Sequence, residues 1–135
     1  MDIDRKKLFK TLAYLIFFIF LLHFVATKLY WYSLFGWLDM PMHFLGGFWL
    51  GLVFIWFFSR NFQLFGELKV KDWDVLKILL CVLVVGIGWE VFEFLVNDIL
   101  AENPIDYLDT GSDIFFDLLG GLCAILYVWR KKLQK

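Results

Sequence analysis

Hydroxyl side chains are scarce in this chain, with three serines and three threonines in 135 residues, and no protein nucleophile with an adjacent base can be picked out. Thiols are equally few. Cys81 and Cys123 are not spaced like metal ligands and fall in segments away from an oxidising compartment, so they read as small core residues. There is no internal repeat and no low-complexity tract. A basic, aromatic surface is also missing, which argues against a nucleic-acid role.

What the chain has in excess is apolar length. It is 61% hydrophobic and 21% aromatic, its mean hydropathy is +0.72, and the apolar residues come in long runs. Its length allows one domain, residues 1–135. The expectation is an all-α integral membrane protein. Four segments approach the roughly 20 residues that a spanning helix needs, at about 9–27, 38–58, 76–98 and 112–129. The first follows Arg5, Lys6 and Lys7, as a signal peptide would, but it is long and no small-x-small cleavage site follows.

Twelve of the thirteen basic residues lie before or at the start of the first span, between the end of the second and the start of the third, or after the fourth; only Lys28 falls on the other side. The positive-inside rule then places both termini in the cytoplasm, in a plasma (inner) membrane. Tyr30, Trp31, Tyr32 and Trp37 fit the outer interface, Trp73 and Trp129 the inner one. Residues 59–74 read as a short amphipathic cytoplasmic connection and 99–111 as an acidic outer loop containing Pro104.

The acids are as unevenly placed as the bases. Counting from the last cytoplasmic charge of each span at about 1.5 Å per residue puts His23, Glu90 and Asp117 roughly 20 Å from the inner edge. His43, Glu93 and Asp113 follow at about 24–26 Å, and Asp39, Asn97 and Asp109 lie near the outer boundary. Glu90, Glu93 and Asn97 share a helix face, as do Asp39 and His43, and as do Asp109, Asp113 and Asp117. Such faces must turn into the bundle, because an ionised group facing lipid near mid-membrane costs several kcal/mol. Gly46, Gly47, Gly51, Gly86, Gly120 and Gly121 lie below them, where close helix approach is expected. The pattern predicts an outward-facing polar cup on a sealed apolar base.

Five carboxylates, Asp39, Glu90, Glu93, Asp113 and Asp117, cannot all be ionised close together without a counter-charge, and no lysine or arginine lies at that depth. Either they share protons or a cation sits among them. With His43 they form a ligand set suited to a divalent metal ion such as Zn, Fe, Mn or Mg. Glu90 and Asp117 are the candidates for general acid and base. The Asp109-Thr110-Gly111 triplet resembles that of aspartic proteases, but those need two triplets on strand-rich lobes. Here Thr110 or Ser112 is expected to cap a helix with Asp113 in its first turn.

The motifs Asp39-x-x-x-His43-Phe44-x-Gly46-Gly47, Gly88-Trp89-Glu90-x-x-Glu93 and Asp109-Thr110-x-x-Asp113-x-x-x-Asp117-x-x-Gly120-Gly121 resemble the small bacterial YjdF-like membrane proteins and, more distantly, VanZ-like proteins. The lysine of the VanZ-like Asp-Lys-x-x-His is replaced here by Met40. Three functions remain open. The first is a metal-dependent protein, a hydrolase among the options, acting on or binding an envelope or lipid-linked substrate. The second is a proton- or cation-coupled transporter or channel. The third is a structural subunit of a membrane complex or a homo-oligomer.

Overall fold

A computed structural model of the chain describes residues 5–62, 72–96 and 107–133. They form five helices: α1 (Arg5–Lys28), α2 (Trp31–Leu34), α3 (Asp39–Phe62), α4 (Asp72–Phe94) and α5 (Tyr107–Leu133). No strand occurs among the described residues. Four helices are long and apolar enough to cross a membrane, over Lys6–Lys28, Asp39–Phe58, Val75–Phe94 and Leu108–Arg130. This is the all-α bundle the sequence implies.

The helix ends follow local chemistry. α1 closes with Lys28 in its last turn, where a cation meets the negative end of the helix dipole. Tyr30 then takes a left-handed conformation, φ 57°, which reverses the chain into the single turn of α2. α3 opens on Asp39, an acid at the positive end of its dipole. Pro41 is tolerated in that first turn, where its missing N–H has no helical partner to lose. α5 starts at Tyr107, ahead of the expected Thr110 or Ser112 cap, so the Asp109-Thr110-Gly111 triplet is helical and the first turn holds Asp109 rather than Asp113. Ser112 is therefore no cap; its hydroxyl donates to the Asp109 carbonyl at 2.8 Å, one turn back inside the helix. Asn97, Pro104 and most of the two long connections lie outside the described residues.

α3 and α5 form the spine. They run parallel, since Gly47 meets Asp117 and, one turn on, Gly51 meets Gly121 and Ala124. A Cβ on Gly47 would fall on the Asp117 carbonyl, and one on Gly120 would fall on the Phe44 carbonyl and 2.6 Å from the Phe48 nitrogen. The two backbones are thus in direct contact, the arrangement that small residues four apart allow in membranes. α4 crosses antiparallel to α5, with Gly86 against Asp117 and Val82 against Gly121. α1 packs on α3, where the Trp49 indole N–H donates to the Leu12 carbonyl at 3.0 Å.

Below the glycines the interior is apolar: Leu8, Leu12, Leu52, Ile55, Ile78, Ala124, Ile125 and Val128 make one buried cluster. Gly47→Ala is expected to push α3 off α5 and to cost about 1–3 kcal/mol of stability. Gly88→Ala, at a position with nothing within 4 Å of the added carbon, is expected to be neutral or stabilising. Equilibrium unfolding in mixed detergent micelles compares the two, and equal stabilities would refute the close-contact account.

Candidate metal site

Among the described residues three polar side chains are buried, His43, Asp113 and Asp117, and they occupy one place. Asp117 is set first by the backbone. Gly46, Gly47 and Gly86 surround it, and a Cβ on Gly86 would come within 2.7 Å of its Oδ2. The glycines expected to form a floor thus make the socket that admits this carboxylate. Helical side chains lean toward the N-terminus, so the Asp117 carboxylate rises from the level of Gly47 toward His43. Its Oδ2 lies 3.5 Å from His43 Nδ1, at the outer limit of a hydrogen bond.

The other ring nitrogen faces two more acids. His43 Nε2 is 3.9 Å from Asp39 Oδ1, one turn back on α3, and 3.9 Å from Asp113 Oδ2 on α5. From α4, Glu90 and Glu93 approach the same imidazole. Two groups, Asp39–His43–Asp113 and His43–Glu90–Glu93, each bring one ligand atom apiece to within 4.8 Å of one another. A separation of 3.9 Å is too long for a hydrogen bond, yet shorter than twice a metal–ligand bond of about 2.0–2.6 Å, so one cation can reach both atoms. Glu90 Oε1 is buried and has no hydrogen-bond partner. The N-termini of both α3 and α5 point their positive dipole ends into this acidic end of the bundle.

A family model described as Predicted membrane protein (DUF2238) matches residues 2–133. The chain belongs to this family. No curated protein and no solved structure matches the chain. As a member of the family, with four helices long and apolar enough to span, it is a multi-pass membrane protein.

All six residues singled out from the sequence, Asp39, His43, Glu90, Glu93, Asp113 and Asp117, gather at this one end. His23 stands apart: it is exposed on α1, and its Nδ1 bonds the Tyr32 hydroxyl at 2.8 Å. Tyr32 is the residue that sequence reasoning missed, having been read as an interfacial anchor. No periodicity connects residues 23 and 32, because the left-handed turn at Tyr30 intervenes. Burial, reinforced by the charges of Asp39 and Glu93, pushes the Tyr32 hydroxyl above its usual value of 10.0, so it stays protonated at neutral pH. Thr110 was also passed over, as a cap; its side chain adjoins the Glu90 carboxylate.

His43→Leu leaves Asp113 and Asp117 buried without their imidazole. In the presence of chelator it is expected to cost about 3–5 kcal/mol, part of which Asp117→Asn restores by removing one charge. Thermal unfolding of the two variants measures this; an unaltered midpoint for His43→Leu would show that the imidazole does not hold the acids.

Proposed function

We propose that the chain binds a divalent cation at the His43 cluster and uses it to act on an envelope or lipid-linked substrate. The observation that carries this reading is that His43 Nε2 stands 3.9 Å from a carboxylate oxygen of Asp39 and 3.9 Å from one of Asp113, too far to hydrogen-bond and near enough to share a cation, with Glu90 and Glu93 grouped on the same imidazole. Oxygen and imidazole donors without a thiolate favour Zn, Mn, Fe or Mg. Lys28, at the end of α1, has its ammonium 5.8 Å from the centre of the Phe24 ring.

In this reading Asp39, His43, Glu93 and Asp113 are ligands, and Glu90 and Asp117 serve as ligands or as general acid and base. The cation supplies Lewis acidity. Glu90, whose Oε1 is buried without a hydrogen-bond partner, would serve as the proton acceptor. Asp117, in its glycine socket, contacts His43 Nδ1, and Nε2 would be the nitrogen that holds a cation. The apolar cluster beneath favours a closed cup over a route through the membrane. The likeness to YjdF-like proteins is compatible with this reading and adds no chemistry to it.

Metal-free protein titrated with Zn, Mn, Fe or Mg is expected to bind one of them and to gain about 2.7 kcal/mol of stability at a hundredfold excess over Kd. His43→Ala and Asp113→Asn should abolish both effects. Calorimetry and thermal unfolding read the outcome, and no binding by any of the four ions defeats the proposal.

The cup faces outward in this reading, with both termini in the cytoplasm of a cell whose plasma membrane holds the protein. Alkaline phosphatase fused after Lys135 is expected to be inactive, and fused within residues 98–104 active. The reverse pattern would turn the cup to the cytoplasm.

A further inference from the structure

Hydroxyls in helices commonly bond back to their own main chain. Thr11 does so to the Lys7 carbonyl at 3.1 Å, and Ser112 to the Asp109 carbonyl at 2.8 Å. Thr110 differs: its side chain hydrogen-bonds the Glu90 carboxylate, reaching from α5 across to α4. An ionised carboxylate only accepts, so the hydroxyl donates and its one proton is used there.

Packing explains why the two meet. α4 and α5 run antiparallel, with Gly86 against Asp117 and Val82 against Gly121. At that register Glu90 stands level with Asp113, and Glu93 with Thr110. Thr110 also shares a helix face with the buried Asp113 and Asp117, three and seven residues on. It is half-buried, while its neighbours Asp109 and Gly111 are exposed. It therefore sits on the α5 face that carries the site, at the level where the two glutamates of α4 arrive.

The two oxygens of Glu90 are consequently unlike. Oε1 is buried and has no hydrogen-bond partner, so the bond from Thr110 falls to Oε2. One Glu90 oxygen lies within 4.8 Å of a His43 ring nitrogen and of a Glu93 oxygen. A carboxylate pinned at Oε2 offers the cluster Oε1 alone, whereas an unpinned one can turn both oxygens onto a cation. That difference bears on which cation is held. Ca²⁺ takes roughly six to eight oxygens and often both from one carboxylate, while smaller divalent ions keep near-octahedral shells and take one.

We propose that Thr110 is a specificity-determining residue of the His43 cluster: by holding Glu90 Oε2 it withholds a second oxygen from the cation, disfavours Ca²⁺ against Mn²⁺ and keeps Oε1 available. Thr110 acts through Glu90, as a positioning residue. The inference rests on the cation site proposed above and adds what selects among cations there.

The test uses full-length protein in detergent micelles, with Mn²⁺ binding read from its electron paramagnetic resonance signal and Ca²⁺ binding from displacement of Mn²⁺. Thr110→Val keeps the branched shape without the hydroxyl and is expected to lower the preference for Mn²⁺ over Ca²⁺ by about tenfold, the size of one hydrogen bond to a charged group. Thr110→Ala, a stronger helix former, should do the same, and Thr110→Ser should keep the wild-type preference. In a Glu90→Gln background, where the amide cannot chelate with two oxygens, Thr110→Val should leave the preference unchanged. A loosened fold weakens both ions together, so their ratio separates selection from structure. The proposal is overturned if the ratio holds in either variant that lacks the hydroxyl, if Thr110→Ser loses it, or if the Thr110 effect survives Glu90→Gln. A wild type that binds no Mn²⁺ removes the site this inference presumes. Mn²⁺ binding without a Thr110 effect leaves the cation reading standing and overturns this inference alone.

Discussion

The contact between the α3 and α5 backbones is the constraint on which the rest depends. Gly47 and Gly120 let two parallel helices touch main chain to main chain, and the side chains that flank the contact are thereby fixed to within a fraction of a turn. Parallel helices bring like ends together. Asp39 and Asp109 therefore start their helices at the same end of the bundle, where two positive dipole ends partly offset the acids. In a bilayer, where burying apolar surface contributes little to helix association, such close packing has to supply much of the attraction.

From that contact the site follows by a short chain of causes. The missing side chains at Gly46, Gly47 and Gly86 leave a socket that Asp117 occupies. Asp117 then holds one nitrogen of His43 and turns the other toward Asp39 and Asp113. α4, seated on the same carboxylate through Gly86, carries Glu90 and Glu93 to the imidazole. The result concentrates negative charge around a single base, and the apolar cluster beneath it closes the other end. α1 stands outside this sequence of contacts and packs on α3 and α2.

Much of this was legible in the sequence because membrane helices reduce position to two coordinates, depth and face. Residue counts from the flanking lysines and arginines brought His43, Glu90, Glu93, Asp113 and Asp117 to one end of the bundle, and the spacing of three, four and seven gave their faces. Counting Cα positions put Asp117 one layer below His43, however, and the two touch because side chains lean toward the N-terminus. The pairing of glycines with partners on other helices was not legible, since a small residue carries no label for what it will meet. Tyr32 was hidden for a different reason: its place depends on the left-handed turn at Tyr30, which a non-glycine residue does not announce.

The 74 residues that separate His43 from Asp117 have a consequence for how the protein is made. At about 5–20 residues per second, α3 is synthesised roughly 4–15 s before the acids of α5 leave the ribosome. A helix carrying Asp109, Asp113 and Asp117 is a poor candidate for lateral release into lipid by itself. It would enter a membrane in which an imidazole and a cleft of bare backbone already wait for it, so the last helix is recruited by its partners as much as by its own hydrophobicity.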